Sequence, residues 1–276
     1  ILKSLRDAKT YTPLAAPPNA LRQLLVDSQT LNVLRPLVNG PVSAQTHAHM
    51  AYTFSDPQLH PQTNQSAHDG HRHTYWRLQH LLKQLPDGIH GFKQPEWLMA
   101  VATHAAINDP SLFMGCVIQQ GLCIGTLLAF EQDHPHAARW RRELETGESL
   151  GVYALTEIGR SNSHMAPCLE AVFDTDTRTF VLNTPNNAAL KFANVGINNL
   201  NKMGVVFAEL TVQDQRCGVF AFVLPLSDAQ GPCPGIEMSS PAEIRAVPLD
   251  YGVLRFNQVR ISFDAWLCDG AHIDDS

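Results

Sequence analysis

The spacing of apolar residues changes once along this chain, near residues 147–151, and that switch limits the fold more than any other feature. Before it, apolar side chains recur at helical intervals; after it, they fall in short runs separated by turn residues. Leu21, Leu24, Leu25, Leu31, Leu34 and Leu37 keep helical spacing over 18–38, and Asn39-Gly40-Pro41 supplies a stop. Helical periodicity returns over 75–85, closed by Pro86-Asp87-Gly88, and over 95–107, closed by Asn108-Asp109-Pro110. A third apolar run, 112–130, carries Gln119, Gln120 and the glycines Gly115, Gly121 and Gly125, which suits a buried helix better than a membrane span. Between the first two helical stretches, residues 41–73 are rich in His, Gln and Pro; Pro57 and Pro61 disfavour regular structure, and a long surface loop is expected.

Beyond the switch, strands are expected over 150–155, 168–174, 179–183, 203–212, 218–225 and 253–261. The short polar side chains of Asp174-Thr175-Asp176-Thr177-Arg178 read as a hairpin turn. A helical half followed by an all-β half implies an α+β protein with two segregated layers or two domains. The division expected is residues 1–148, with the His-rich loop, and residues 149–276.

Twenty Lys and Arg against 26 Asp and Glu give a net charge of −6, which argues against nucleic acid, whose phosphates need concentrated cations. No signal-peptide pattern opens the chain and no uninterrupted apolar run reaches membrane-span length, so no membrane partner and a cytoplasmic location are expected. Cys116, Cys123, Cys168, Cys217, Cys233 and Cys268 lack CxxC spacing and read as free thiols.

Few motifs carry chemistry by themselves. His68-Asp69-Gly70-His71-Arg72-His73 looks locally like a metal grip, but metal ligands must converge from a rigid framework and a solvated loop is the preferred reading, so no metal is expected. Arg139-Trp140-Arg141-Arg142 reads as helix-end cations rather than a phosphate site. Neither a GxGxxG nor a P-loop pattern occurs, and no GxSxG elbow anchors a hydrolase.

The informative stretch runs from Gly151 to Asn162. A strand that ends in Thr156-Glu157 and enters a Gly159, Ser161, Asn162 turn exposes a hydroxyl and backbone N–H groups at one edge, suited to a polar heterocycle or phosphate. Tyr153-Ala154-Leu155-Thr156-Glu157-Ile158-Gly159 resembles the Tyr-Ala-x-Thr-Glu-Leu-Gly signature of acyl-CoA oxidases and, more distantly, the Thr-Glu-Pro-Gly of acyl-CoA dehydrogenases. Matches continue in order through Phe173-Asp174, Phe180-Val181-Leu182-Asn183-Thr184-Pro185, Lys191, 205–210, 218–226, Pro234-Gly235-Ile236 and 252–261. Upstream, 109–113 and 125–127 resemble the end of that family's first helical domain.

The resemblance implies an all-α domain followed by a small β-barrel, with the family's C-terminal helical bundle absent from this sequence. It implies FAD as cofactor, an acyl thioester of CoA or a carrier protein as substrate, and α,β-desaturation by α-proton abstraction with hydride transfer to the flavin. Tyr153, Leu155 and Thr156 correspond to the flavin-side strand, with the Thr156 hydroxyl toward the flavin, and Ala193, Asn194, Val195 and Gly196 to its second flavin segment. Ser161, Asn162 and Ser163 stand where the family contacts substrate or phosphate. No carboxylate here matches the catalytic base, so no catalytic residue is assigned. The base is expected outside this sequence or on a partner chain of a homo- or hetero-oligomer. A non-catalytic subunit or degenerate relative that pairs with a catalytic homologue is the alternative, and substitutions at Ala193 to Val195 are what it predicts.

Overall fold

The computed structural model describes residues 42–276 except 64, 86–93, 133, 162, 241–248, 269 and 274–276, together with 30, 33, 34, 37 and 40. The helix expected over 18–38 therefore lies largely outside the described residues. Residues 43–276 form one compact unit, distinct from residues 1–42.

The His-rich segment is helical rather than a loop. Helix α1 spans Ala44–Thr53, a 3₁₀ turn covers Pro57–Leu59, and α2 spans Ala67–Leu82. Two serines reverse the expectation. Ser43 Oγ accepts from the Thr46 N–H and Ser66 Oγ from the Asp69 N–H, so each helix begins on a satisfied N-cap. Sparse apolar residues, Met50, Leu59, Leu78 and Leu81, then suffice because all four are buried.

Helix α3 spans Pro95–Asn108 and α4 spans Pro110–Cys116, the latter capped by Asp109, whose carboxylate also pairs with the buried Arg77 guanidinium. The chain continues without a break through a π-helical stretch, Val117–Ile124, into α5, Gly125–Phe130. By length and composition Pro110–Phe130 could cross a membrane; half of its most apolar window is buried inside the fold. Helix α6, Ala137–Glu145, carries the Arg139 to Arg142 cluster, with Arg142 in its last turn. Arg139 pairs with Glu143, and Arg141 with Glu131 and Glu145, so carboxylates engage these two cations.

Strand β1, Leu150–Ala154, pairs in parallel with β5, Lys202–Val212. Strands β2, Glu170–Asp174, and β3, Thr179–Asn183, form the expected hairpin, and Asp174 Oδ1 accepts from the Asp176 and Thr177 N–H groups in its turn. Strand β4 spans Lys191–Ala193. β5 also pairs with β2 and with β6, Gln215–Asp228, through a tight turn whose Gln213 and Asp214 both have positive φ. Short strands β7, Gly231–Pro232, and β8, Ile236–Ser239, follow.

The single strand expected over 253–261 is two, β9, Gly252–Phe256, and β10, Val259–Ser262, separated at Gln258, where φ is +51°. β9 joins β4 and β8 in a three-stranded sheet, whereas β10 pairs with β3 and β11, Trp266–Leu267, with β6 in the larger sheet. That eight-stranded mixed sheet curls as a half-barrel around Phe173, Phe180, Phe222 and Trp266, whose rings pack against one another. The fold is α+β, with helices preceding a curled mixed sheet.

Candidate functional site

Strand β1 carries Tyr153 and runs into Leu155 and Thr156. Val152 and Ala154 enter the sheet core, so the strand's alternation turns Gly151, Tyr153 and Leu155 to the other face. Gly151 lies against the helical layer so closely that a Cβ there would meet Cys123 Sγ at 2.8 Å. Gln119, from the π-helical stretch, fastens this junction: its Nε2 donates to the Leu144 and Ser149 carbonyls at 2.7 and 3.0 Å, and its Oε1 accepts from the Gly151 N–H at 2.6 Å. The start of β1 is thereby held to the helices by one buried side chain.

Beyond Ala154 the strand leaves its partner. Tyr153, Leu155 and Thr156 are half-buried. The Tyr153 ring packs edge-on to Phe207, and burial raises its phenol pKa. The Thr156 carbonyl accepts from the Phe192 N–H at 2.9 Å, while its hydroxyl makes no hydrogen bond among the described residues.

Glu157 does the opposite and turns inward. Its buried carboxylate pairs with Lys191 Nζ at 3.0 Å and accepts from the Cys168 and Leu169 N–H groups at 2.7 and 2.9 Å. Lys191 also donates to the Leu155 carbonyl at 3.1 Å. Burial lowers the Lys191 pKa, against which the Glu157 charge acts. Gly159 follows because a Cβ there would lie 2.4 Å from Ala188 Cβ. The Thr-Glu-x-Gly run thus presents a hydroxyl on one residue, anchors the loop with the next, and clears its neighbour with the glycine.

Ser161, at φ +48°, and Ser163 lie exposed on this loop; Asn162 falls outside the described residues. The Arg160 guanidinium donates to Cys168 Sγ at 3.1 Å.

The second predicted segment sits differently. Ala193, Asn194 and Val195 are buried and Gly196 half-buried. The Asn194 amide donates to the Gly151 carbonyl at 2.9 Å and to the Tyr75 hydroxyl at 3.2 Å, so the structure joins this loop to the foot of β1. Lys202 and Asp250 complete that buried cluster at 2.7 Å. Among the described residues, no group of three His, Cys, Asp or Glu side chains is placed to hold a metal. Cys116 and Cys123 are free and buried, and burial pushes the Cys116 thiol up to about 12.

Sequence reasoning missed the anchoring residues. Glu157 and Lys191 stood within the matched segments and Gln119 was a polar residue in an apolar run, which could have marked them as buried partners. Tyr75, Lys202 and Asp250 had no local signal because their contacts with one another span 48 to 175 positions.

No protein-family model matches the chain. Rat peroxisomal acyl-coenzyme A oxidase 1 is 27% identical over 138 residues, 49% of this chain and 21% of the relative. Acyl-coenzyme A oxidase acox-1.3 of Caenorhabditis elegans is 30% identical over 178 residues, 63% of this chain and 25% of the relative. Among solved structures, acyl-CoA oxidase 3 from Yarrowia lipolytica superposes with a TM-score of 0.74 at 20% identity, covering 98% of this chain and 40% of that one. The chain resembles the acyl-CoA oxidases. It spans about a fifth of the length of the curated relatives it matches. A structure of C. elegans acyl-CoA oxidase-1 complexed with FAD and ATP shares the fold, with a TM-score of 0.66 at 21% identity over 84% of this chain and 35% of that one. The expected cytoplasmic location is overturned by these relatives, since the rat and Arabidopsis thaliana enzymes are peroxisomal.

Proposed function

We propose that this chain belongs to an FAD-dependent enzyme of acyl-CoA oxidase type, acting in α,β-desaturation of an acyl thioester, and that it supplies one wall of the flavin site. The division at residue 148 is retained in this proposal, with residues 149–276 carrying the cofactor-facing rim. One observation carries the reading. The motif that matches the oxidases contains a half-buried Thr156 whose hydroxyl makes no hydrogen bond among the described residues, beside a Glu157 whose carboxylate is fully engaged in holding the loop. A half-buried hydroxyl at a strand end fits a flavin edge, to which it can donate.

Bound FAD would supply the hydride acceptor for desaturation. Thr156 would donate to it, with Tyr153 and Leu155 forming the half-buried wall beside it. Of the second segment, only the half-buried Gly196 would lie against a cofactor, because the side chains of Ala193, Asn194 and Val195 are buried. Ser161, Asn162 and Ser163 would meet the thioester or its phosphates. The general base comes from outside this sequence, on further polypeptide or another subunit of an oligomer, and the relatives' compartment suggests a peroxisomal setting.

The committed Asn194 amide favours a second reading, a non-catalytic subunit that keeps the fold and pairs with a catalytic homologue. The absorption spectrum of the purified protein separates the two. A flavin band, present on isolation or after FAD is added and excess removed, supports the enzyme reading. A protein that stays colourless with added FAD supports the subunit.

A further inference from the structure

Four residues from distant parts of the chain meet in one buried cluster outside the proposed chemistry: Tyr75 on α2, Asn194 after β4, Lys202 at the start of β5, and Asp250 before β9. Each is at most 3% exposed. The Asn194 amide donates to the Tyr75 hydroxyl at 3.2 Å and Lys202 Nζ approaches it at 3.4 Å, which leaves the single phenolic proton for Asp250 Oδ1. Asp250 Oδ2 accepts from Lys202 Nζ and from the Ile197 N–H, both at 2.7 Å, and the Asp250 carbonyl accepts from the Gly196 N–H at 2.7 Å. Lys202 Nζ also donates to the Asn194 carbonyl at 2.6 Å and lies 4.6 Å from the centre of the Tyr75 ring.

The arrangement fixes a loop rather than a core. Asp250 takes two successive amides, of Gly196 and Ile197, and Lys202 takes the carbonyl of Asn194, two residues before Gly196. Gly196 has no slack, since a Cβ would lie 2.9 Å from both the Asp250 carbonyl and Ser240 Oγ. Asn194 reaches across to the Gly151 carbonyl at the foot of β1, the strand that runs into Leu155-Thr156. Tyr75 is the cluster's member from the helices, and its hydroxyl bridges the Asp250 carboxylate that holds the loop and the Asn194 amide that ties the loop to β1.

We infer that Tyr75 is a positioning residue for the 194–197 loop, its hydroxyl setting where Gly196 and Ile197 sit relative to β1. The consequence for cofactor affinity rests on the flavin reading above; the positioning itself does not. Removing the hydroxyl alone leaves the Lys202–Asp250 pair intact, so the fold keeps its buried charges compensated while Asp250 Oδ1 and the Asn194 amide each lose a partner.

The test is Tyr75→Phe, with Tyr52→Phe, an exposed tyrosine on α1, as control. Hydrogen exchange is read at Gly196 and Ile197 and at β5–β6 hairpin amides, and FAD binding is read by quenching of flavin fluorescence. Expected is exchange about tenfold faster at Gly196 and Ile197 with the hairpin unchanged, and FAD binding weakened by a similar factor. Tyr52→Phe should change neither. Unchanged exchange at Gly196 and Ile197, or equal acceleration in the hairpin, overturns positioning in favour of a purely structural contact. Faster loop exchange with unchanged FAD affinity overturns the link to the cofactor. A wild-type chain that binds no FAD defeats the flavin reading, and the exchange data still decide the positioning claim. If Tyr75→Phe does not fold, the charge-free pair Lys202→Met with Asp250→Asn must show the same localised acceleration, and its absence refutes the inference.

Discussion

Glu157→Gln isolates the claim that the glutamate of the Thr-Glu-x-Gly run anchors the loop rather than serving chemistry. The wild-type carboxylate meets three donors: Lys191 Nζ at 3.0 Å and the Leu169 N–H at 2.9 Å on one oxygen, and the Cys168 N–H at 2.7 Å on the other. A Gln amide can keep its oxygen toward the first two, but its NH₂ then faces the Cys168 N–H, and Lys191 remains buried without a counter-charge. Breaking a buried ion pair from one side costs about 3–5 kcal/mol. For a chain of this size that is a fall in Tm of roughly 6–20 °C. Lys191→Met in the Glu157→Gln background removes the stranded ammonium, so the double variant should recover about half or more of the loss. Calorimetry or urea unfolding of the wild type, both single variants and the double variant reads this cycle. A single-variant loss below about 1 kcal/mol, or a double variant as unstable as the two singles summed, refutes the anchoring argument.

Three further outcomes follow from the same geometry. Gln119→Leu strands the Leu144 and Ser149 carbonyls and the Gly151 N–H, and should cost about 2–4 kcal/mol in urea unfolding. Gly159→Ala drives a methyl to 2.4 Å from Ala188 Cβ and should destabilise by about 1–3 kcal/mol, with faster proteolysis in the 158–166 loop. The Arg260 guanidinium and the Thr177 N–H hold the Asp174 carboxyl down at about 2, below its ordinary value of 3.8. Because the folded pKa is the lower one, the stability from this contact is present above 3.8 and lost as pH falls toward 2. Asp174→Asn should therefore flatten the fall in Tm between those two values, and an unchanged slope contradicts the assignment.

The order of layers was legible because apolar spacing changes once, and the 174–178 hairpin because Asp174 uses its own side chain to build the turn. The helices over 44–53 and 67–82 were not, since their few apolar residues fall among polar ones and the decisive signals were the single cap residues Ser43 and Ser66. Strand β4 is only three residues long and exists through its pairing with β9, about 60 positions away, which no local pattern announces. The same holds at the site. Thr156 is a candidate through its motif, whereas the burial of Asn194 follows from Tyr75, Lys202 and Asp250, which only the folded chain brings together. Tyr153 pairs with Val205 inside the sheet and Leu155 follows where the chain leaves β5; both are half-buried.

The central claim is that the end of β1 meets a flavin through Thr156. Titration of the wild type and Thr156→Val with FAD, followed by flavin fluorescence quenching, tests it most directly. The account predicts saturable quenching by the wild type and an affinity about 5–30-fold weaker in the variant, the loss of one hydrogen bond worth about 1–2 kcal/mol, with Tm unchanged. Equal affinities in the two proteins, or no quenching by either, would contradict it.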